Sequence, residues 1–278
     1  MPLYVGKRVV GTEIRSSAGL LQNFPELEKR SREFAFQAQR TFQEKNILYI
    51  GQHEYGTVYP NDNFVDVVGS DSATTCQIVV LRHKGTGACS LAHFDGSGIP
   101  KALAAMVETL KEHAQNHGEH RIEMYIVGGF LDSRNISEDV FMQILRGAYK
   151  LAVDIDLLCA CVCQLNDTML NGKHVPSIYG IGVVVSSGEV VPVHQFNCQI
   201  PDEILRHVAL YSEQKEVVQV YSSRTQEVTV KPFHVYYPSE RARGIASLSD
   251  ENILQVINIH CLVQYSTVQC IQKLINNS

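Results

Sequence analysis

No apolar run in the 278 residues approaches the length of a bilayer span; the closest, Leu151–Val162, is interrupted by Asp154 and Asp156. The opening Met-Pro-Leu-Tyr-Val-Gly-Lys-Arg lacks the apolar core of a secretory leader. Positive charge is not in excess either: a net charge of −5 gives no electrostatic footprint for nucleic acid, which needs a clustered basic face. The eight cysteines include no Cys-x-x-Cys pair and no zinc-type spacing, and without a leader they read as reduced thiols. Internal repeats, low-complexity tracts and obvious linkers are missing as well. These absences point away from a membrane protein, a nucleic-acid binder and a disulfide scaffold. They leave the expectation of a soluble protein of the cytoplasm or nucleus.

A chain with 45% hydrophobic and 19% charged residues can bury a substantial core. We expect one domain over 1–278, its core at about 47–200 and residues 201–278 part of the same unit. Residues 1–12 read as a strand or extended arm, and 16–43 carry helical signals with Pro25 in a first turn. Strands are expected at Asn46–Glu54 and Phe64–Val68. A helix opens at Ser97–Pro100, with Leu103, Val107, Leu110 and Ala114 at the helical period. His113, His117 and His120 end it; a metal could use the first two, but favourable contact of imidazolium with a helix C-terminus explains them more simply.

Arg121–Val127 reads as a strand ending in Gly128-Gly129, a pair that lets backbone approach closely. Ser137–Leu151 is a helix capped by Asn135 or Ser137, and Asp156–Leu165 a strand with Cys159, Cys161 and Cys163 on one face. Hairpins follow at 177–185 with 190–196 and at 217–222 with 227–230. A short helix at 201–210, a strand at 233–237 and helices at 249–259 and 266–275 complete the pattern. Sequential hairpins with helices among them argue an α+β fold of mostly antiparallel sheets.

The chemistry concentrates at Gly69–Gly96. Hydroxyl residues Ser70, Ser72, Thr74 and Thr75 lead to Cys76; the apolar run Ile78–Leu81 follows, then a Gly85-Thr86-Gly87 turn and a return strand reaching His93. A hairpin closed at that turn carries thiol and imidazole to the same end. A nucleophilic cysteine needs such a base, to draw off its proton and later protonate a leaving group. Ser70 lies where it could orient the ring from its other nitrogen. The plain alternative is that Cys76 and His93 are packing residues of a buried hairpin.

The same stretch carries a resemblance. Val68-Gly-Ser-Asp-Ser-Ala-Thr-Thr-Cys-Gln-Ile-Val-Val-Leu-Arg-His-Lys-Gly-Thr-Gly-Ala, with Leu91-Ala-His93-Phe-Asp95-Gly96, closely resembles the protein N-terminal asparagine amidohydrolases. Val127-Gly-Gly-Phe130, Asp132, Arg134, Leu165-Asn-Asp167 and Ile178-Tyr-Gly-Ile181 match in the same order. The hairpin is also similar to that of bacterial chemotaxis-receptor glutamine deamidases and deamidating toxins. The resemblance implies a sandwich-like arrangement of sheets flanked by helices. It also implies a cysteine nucleophile at Cys76, with His93 and Ser70 completing the catalytic set, and neither metal nor organic cofactor.

The implied reaction converts an N-terminal Asn to Asp with release of ammonia. The implied partners are proteins or peptides bearing N-terminal Asn, with a functional link to arginyl transfer and N-degron recognition. Recognition of the substrate's free ammonium requires a carboxylate, for which Asp71 and Asp95 are candidates, with Asp132 behind them; each is equally suited to a turn or cap. Thr75 is a candidate for the oxyanion site, and Phe130 and Tyr179 for the pocket wall. Two other readings stay open: a cysteine deamidase acting on internal Gln or Asn, and a non-catalytic adaptor for N-terminal Asn.

Overall fold

The computed structural model describes residues 3–43, 46–114, 121–197, 206 and 216–229. The chain divides into two compact units, Met1–Gln199 with Lys215–Val230, and Ile200–Gln214 with Lys231–Ser278. Everything below concerns the first. His117, His120 and the elements expected at 201–210, 233–237, 249–259 and 266–275 lie outside the described residues, apart from the isolated position 206.

The chain opens with β1 (Leu3–Val5) and β2 (Arg8–Val9), then α1 (Ser17–Asn23) and α2 (Pro25–Ala35). The helical signals of 16–43 are thus two helices and a strand. Ser16 caps α1 by accepting from Gly19 N at 3.0 Å. Pro25 then starts α2, and a residue before proline is pushed out of the helical region, as Phe24 is (φ −131°, ψ 74°). Next come β3 (Arg40–Phe42), β4 (Ile47–Tyr49), β5 (Glu54–Val58) and β6 (Val67–Ser70). The single strand expected at 46–54 is two strands in different sheets. The break is made at Gly51, whose N–H donates to Glu54 Oε2 at 2.7 Å, and at His53, which turns through φ +63°.

The hairpin β7 (Gln77–His83) and β8 (Cys89–Phe94) follows, then α3 (Ile99–His113), β9 (Ile122–Gly128), α4 (Ile136–Ala148) and β10 (Ile155–Val162). β10 carries a register shift between Leu157 and Cys159. Beyond it a 3₁₀ turn, Cys163–Asn166, replaces the expected strand end, with Cys163 at φ +49°. Cys159 and Cys161 therefore share a face, while Cys163 packs into a different core; the expected common face for all three is corrected. The strands β11 (Asp167–Leu170) and β12 (Lys173–Pro176) make a hairpin that the sequence reading did not contain. β13 (Gly180–Val184), β14 (Glu189–Phe196), β15 (Val218–Ser222) and β16 (Glu227–Val228) complete the described elements.

Among the described residues, nine strands form one sheet in the order β16-β15-β5-β8-β7-β9-β10-β1-β2, and five form another, β3-β14-β13-β6-β4. β1 with β10, β9 with β10, β3 with β14, β5 with β15 and β4 with β6 are parallel; the other pairings are antiparallel. The result is a mixed α/β chain consistent with the α+β class. α3 and α4 cover one face of the larger sheet, where Val79, Leu81, Ala92 and Phe94 join Leu103, Met106, Phe141 and Leu145 in one core. The opposite face supplies Ile78, Val80 and Leu91 to a second core shared with Val68, Ile181 and Val183 of the smaller sheet. β7 is buried on both faces, which is why Ile78–Leu81 is uninterrupted apolar sequence. A third cluster, with Phe42 stacked on Phe196 at 5.4 Å, backs the smaller sheet. No described helix is long and apolar enough to cross a membrane.

Candidate active site

Strand parity decides what the hairpin presents. Ile78 pairs with His93 and Gln77 with Phe94. Directly opposed residues point the same way, so His93 shares with Ile78 the face turned toward the smaller sheet. Cys76 precedes the first residue of β7, two positions from Ile78, and packs against the same inter-sheet core. From the facing sheet comes Ser70, the last residue of β6, whose Oγ lies 2.8 Å from His93 Nδ1. Serine and histidine are both buried, at 0% and 4% exposure, so this bond crosses between sheets out of competition with water.

Thr74, Thr75 and Cys76 form a half-buried strip leading into β7. The other described cysteines differ. Burial pushes the Cys89 and Cys159 thiols up to about 12 and raises Cys161 and Cys163 as well. A buried thiol that resists ionisation is a packing group, so among the described cysteines only Cys76 is open to solvent.

Two loops flank the strip. Gly128, at φ +124°, lies so close to the cysteine backbone that a Cβ there would stand 2.5 Å from the Cys76 carbonyl oxygen. The approach expected of the Gly pair is therefore to another strand. The other loop accepts the Ala73 N–H at the Tyr179 carbonyl, 2.9 Å. Buried Asn166 ties the two together: its Nδ2 donates to Gly129 O and to Ile178 O, both at 2.9 Å, and its Oδ1 accepts from Ile178 N at 2.8 Å. Phe130 and Tyr179, each half-buried, ride on these loops.

The three acidic candidates separate clearly. Asp71 follows Ser70 and so turns to the opposite face of the smaller sheet. There it accepts from Tyr49 OH (3.0 Å), Ser72 Oγ (3.0 Å) and Phe196 N (2.7 Å). Burial raises its pKa against the pull of those bonds, and the structure does not bring it together with His93. Asp132 sits at the start of α4, accepting from Arg134 N, Ile136 N and Ser137 N at 2.9–3.1 Å. It supplies the cap expected of Asn135 or Ser137; Asn135 is at φ +56° and makes no side-chain cap bond. Asp95, just past the end of β8, is held by Ser97 N (2.9 Å), Gln52 Nε2 (3.3 Å) and His53 Nε2 (2.5 Å).

Burial pulls the Asp132 pKa upward, but the amide hydrogen bonds outweigh it and hold the carboxyl below its ordinary value. Its contribution is therefore present above the unfolded-state pKa and lost as pH falls through the folded one. Asp132→Ala is expected to lower stability by about 1 kcal/mol at neutral pH, as loss of a cap does. Urea unfolding at neutral pH should show that gap, and in acid, below both pKa values, it should close. Loss of order at this turn would also reach the site, because Ser137 O accepts from the Gln77 side chain and Ser137 Oγ from Phe130 N.

Gln52, His53 and Asn166 are the residues that sequence reasoning missed. Asn166 belongs to a matched motif that gives it no role, and the 52–53 turn is hidden in what reads as one continuous strand. At the other end of α3, the His113 ring stacks on Tyr59 at 3.8 Å. Among the described residues no three His, Cys, Asp or Glu side chains group as metal ligands would.

Fold and site together define a class: an α+β protein with a half-buried thiol and a serine–histidine pair on the faces two sheets turn toward each other. Comparison with known proteins gives the family. A family model described as protein N-terminal asparagine amidohydrolase matches residues 37–263. A relative of that name from Sus scrofa is 35% identical over 235 residues, covering 84% of this chain and 74% of its own. One from Mus musculus is 35% identical over 233 residues and one from Homo sapiens 34% over 235, with the same shares. The chain belongs to the protein N-terminal asparagine amidohydrolase family.

Proposed function

We propose that this chain hydrolyses the side-chain carboxamide of an N-terminal asparagine to give N-terminal aspartate and ammonia, with Cys76 as the nucleophile. The observation that carries the mechanism is the Ser70 Oγ–His93 Nδ1 contact at 2.8 Å, on the face that Cys76 shares. With the Nδ1 proton donated to Ser70, Nε2 is the unprotonated nitrogen of the neutral ring and takes the Cys76 proton. The thiolate adds to the carboxamide carbon, and the negative oxygen is held by backbone N–H groups of the Thr75–Cys76 segment with the Thr75 hydroxyl. The carbon–nitrogen bond then breaks, the imidazolium protonates the departing amine to ammonia, and an acyl thioester remains on Cys76. Water, deprotonated by His93, cleaves the thioester to release the carboxylate and return the thiol.

Phe130 and Tyr179 wall the pocket. Asn and Gln differ by one methylene, which apolar contact separates by only about 1–3 kcal/mol. Selectivity therefore comes from reach: with the ammonium anchored, only the shorter side chain sets its carbon at the sulfur. The product's N-terminal Asp suits an arginyl-transfer step, placing the enzyme at the head of the Asn branch of an N-degron pathway, in the cytoplasm or nucleus. The test is ammonia release from peptides beginning with Asn, beginning with Gln, beginning with acetylated Asn, and carrying Asn internally. Release from the free Asn peptide alone is expected. Comparable release from acetylated or internal amides would overturn the reading in favour of an internal deamidase.

A further inference from the structure

We propose that Asp95, held by Gln52 and His53, is the subsite that takes the substrate's α-ammonium, and that His53 is its positioning residue. The inference rests on the amidohydrolase reading above and deepens it by assigning the acid. An ionised carboxylate offers about four acceptor positions. Among the described residues Asp95 fills three: Oδ1 takes Ser97 N, and Oδ2 takes His53 Nε2 and Gln52 Nε2. One position is left on a side chain that is still 26% exposed.

Place favours it as strongly. Gln77↔Phe94 is the last rung of the hairpin, and one step beyond stand Cys76 on one strand and Asp95 on the other. Strands pair at about 4.8 Å, and an Asn spans three bonds of about 1.5 Å from ammonium nitrogen to carboxamide carbon. Neither other acid competes. Asp71 is 6% exposed and turned to the far side of its sheet, and Asp132 caps the start of α4 rather than standing at the end of the hairpin.

The 52–53 turn grips the strand end that carries both groups. Gln52 bridges to His93, and His53 N donates to His93 O at 3.1 Å, while both side chains hold the Asp95 carboxylate. His53 adopts φ +63°, a conformation rare outside glycine, and in it the backbone reaches His93 as the ring reaches Asp95. One turn thus fixes the spacing between imidazole and carboxylate. That is the quantity on which separation of Asn from Gln depends. Although burial works against it, the bonds from His53 and Ser97 keep Asp95 ionised well below the ordinary carboxylate range, so the anchor is charged at neutral pH.

The test compares kcat/KM for an Asn-initiated peptide with that for its desamino counterpart, which has hydrogen in place of the ammonium, in wild type, Asp95→Asn, His53→Ala and His53→Gln. The ratio of the two substrates does not depend on how much of a variant is folded. Wild type should favour the free amine by at least tenfold. Asp95→Asn should erase that preference, mainly through KM. His53→Ala should reduce it, and His53→Gln, whose amide can donate from a similar place, should restore it in large part. A wild-type preference kept intact in Asp95→Asn, or in His53→Ala should Asp95→Asn be unobtainable, overturns the assignment. Ammonia release by the wild type in the same assay would leave the parent reading standing, whereas its absence would remove both.

Discussion

Cys76→Ala is expected to lower kcat/KM on an Asn-initiated peptide by at least about 10⁴-fold, or some 5 kcal/mol of transition-state stabilisation. No other described thiol stands ready to replace it, since Cys89, Cys159, Cys161 and Cys163 are all buried with raised pKa values. The substitution removes one atom from a half-exposed residue, so stability should change by less than about 1 kcal/mol. Kinetics and urea unfolding on the same sample separate the two effects. Cys76→Ser, which keeps the shape but not the acidity, should lose nearly as much. A variant that folds normally and still releases ammonia at a tenth of the wild-type rate would remove the nucleophile from the account.

His93→Ala should cost about 10²–10⁴-fold in kcat, the range for loss of a general acid–base, with less effect on KM. Ser70→Ala should cost about 10- to 100-fold, because the ring keeps its chemistry but loses its orientation. It should also destabilise by about 1–3 kcal/mol, since it leaves a buried nitrogen of His93 without its partner from the facing sheet. The pattern to look for is ordering: His93→Ala worse than Ser70→Ala in turnover, with Ser70→Thr restoring part of the loss. Equal turnover in all three would mean that the bond between the sheets holds the fold together and nothing more.

The local signals at this site could be read in the sequence; the tertiary ones could not. The hairpin follows from an apolar run, a Gly turn and a second run of matching length, which carry Cys76 and His93 to one end; the parity seen in the register adds that they share a face. The same parity carried a further consequence that the sequence reading did not use. If Ser70 faces His93, then Asp71, the next residue in an extended chain, must face away, as it does. What could not be read is that Ser70 belongs to another sheet, for nothing within Val67–Ser70 says which strands it will join.

Gln52 and His53 were missed for a related reason. Asn46–Glu54 has the composition of one strand, and the break depends on a Glu54 carboxylate folding back to Gly51 and on a sheet exchange settled by distant partners. Cys163 was misplaced because a register shift in β10 and a positive φ undo the simple alternation. Asn166 shows the opposite case, in which a matched motif marked the residue but only the three-dimensional structure revealed the two loops it joins.

The proposed mechanism requires a covalent bond between the Cys76 sulfur and the side-chain carbonyl carbon of the substrate's first residue. Acid quenching during turnover of an Asn-initiated peptide, followed by digestion and mass spectrometry, observes that bond directly. The fragment containing Cys76 is expected to gain the mass of the substrate less one ammonia, and the adduct to disappear as substrate is exhausted. An adduct on a different residue, or an unmodified Cys76 while ammonia is being released, would contradict it.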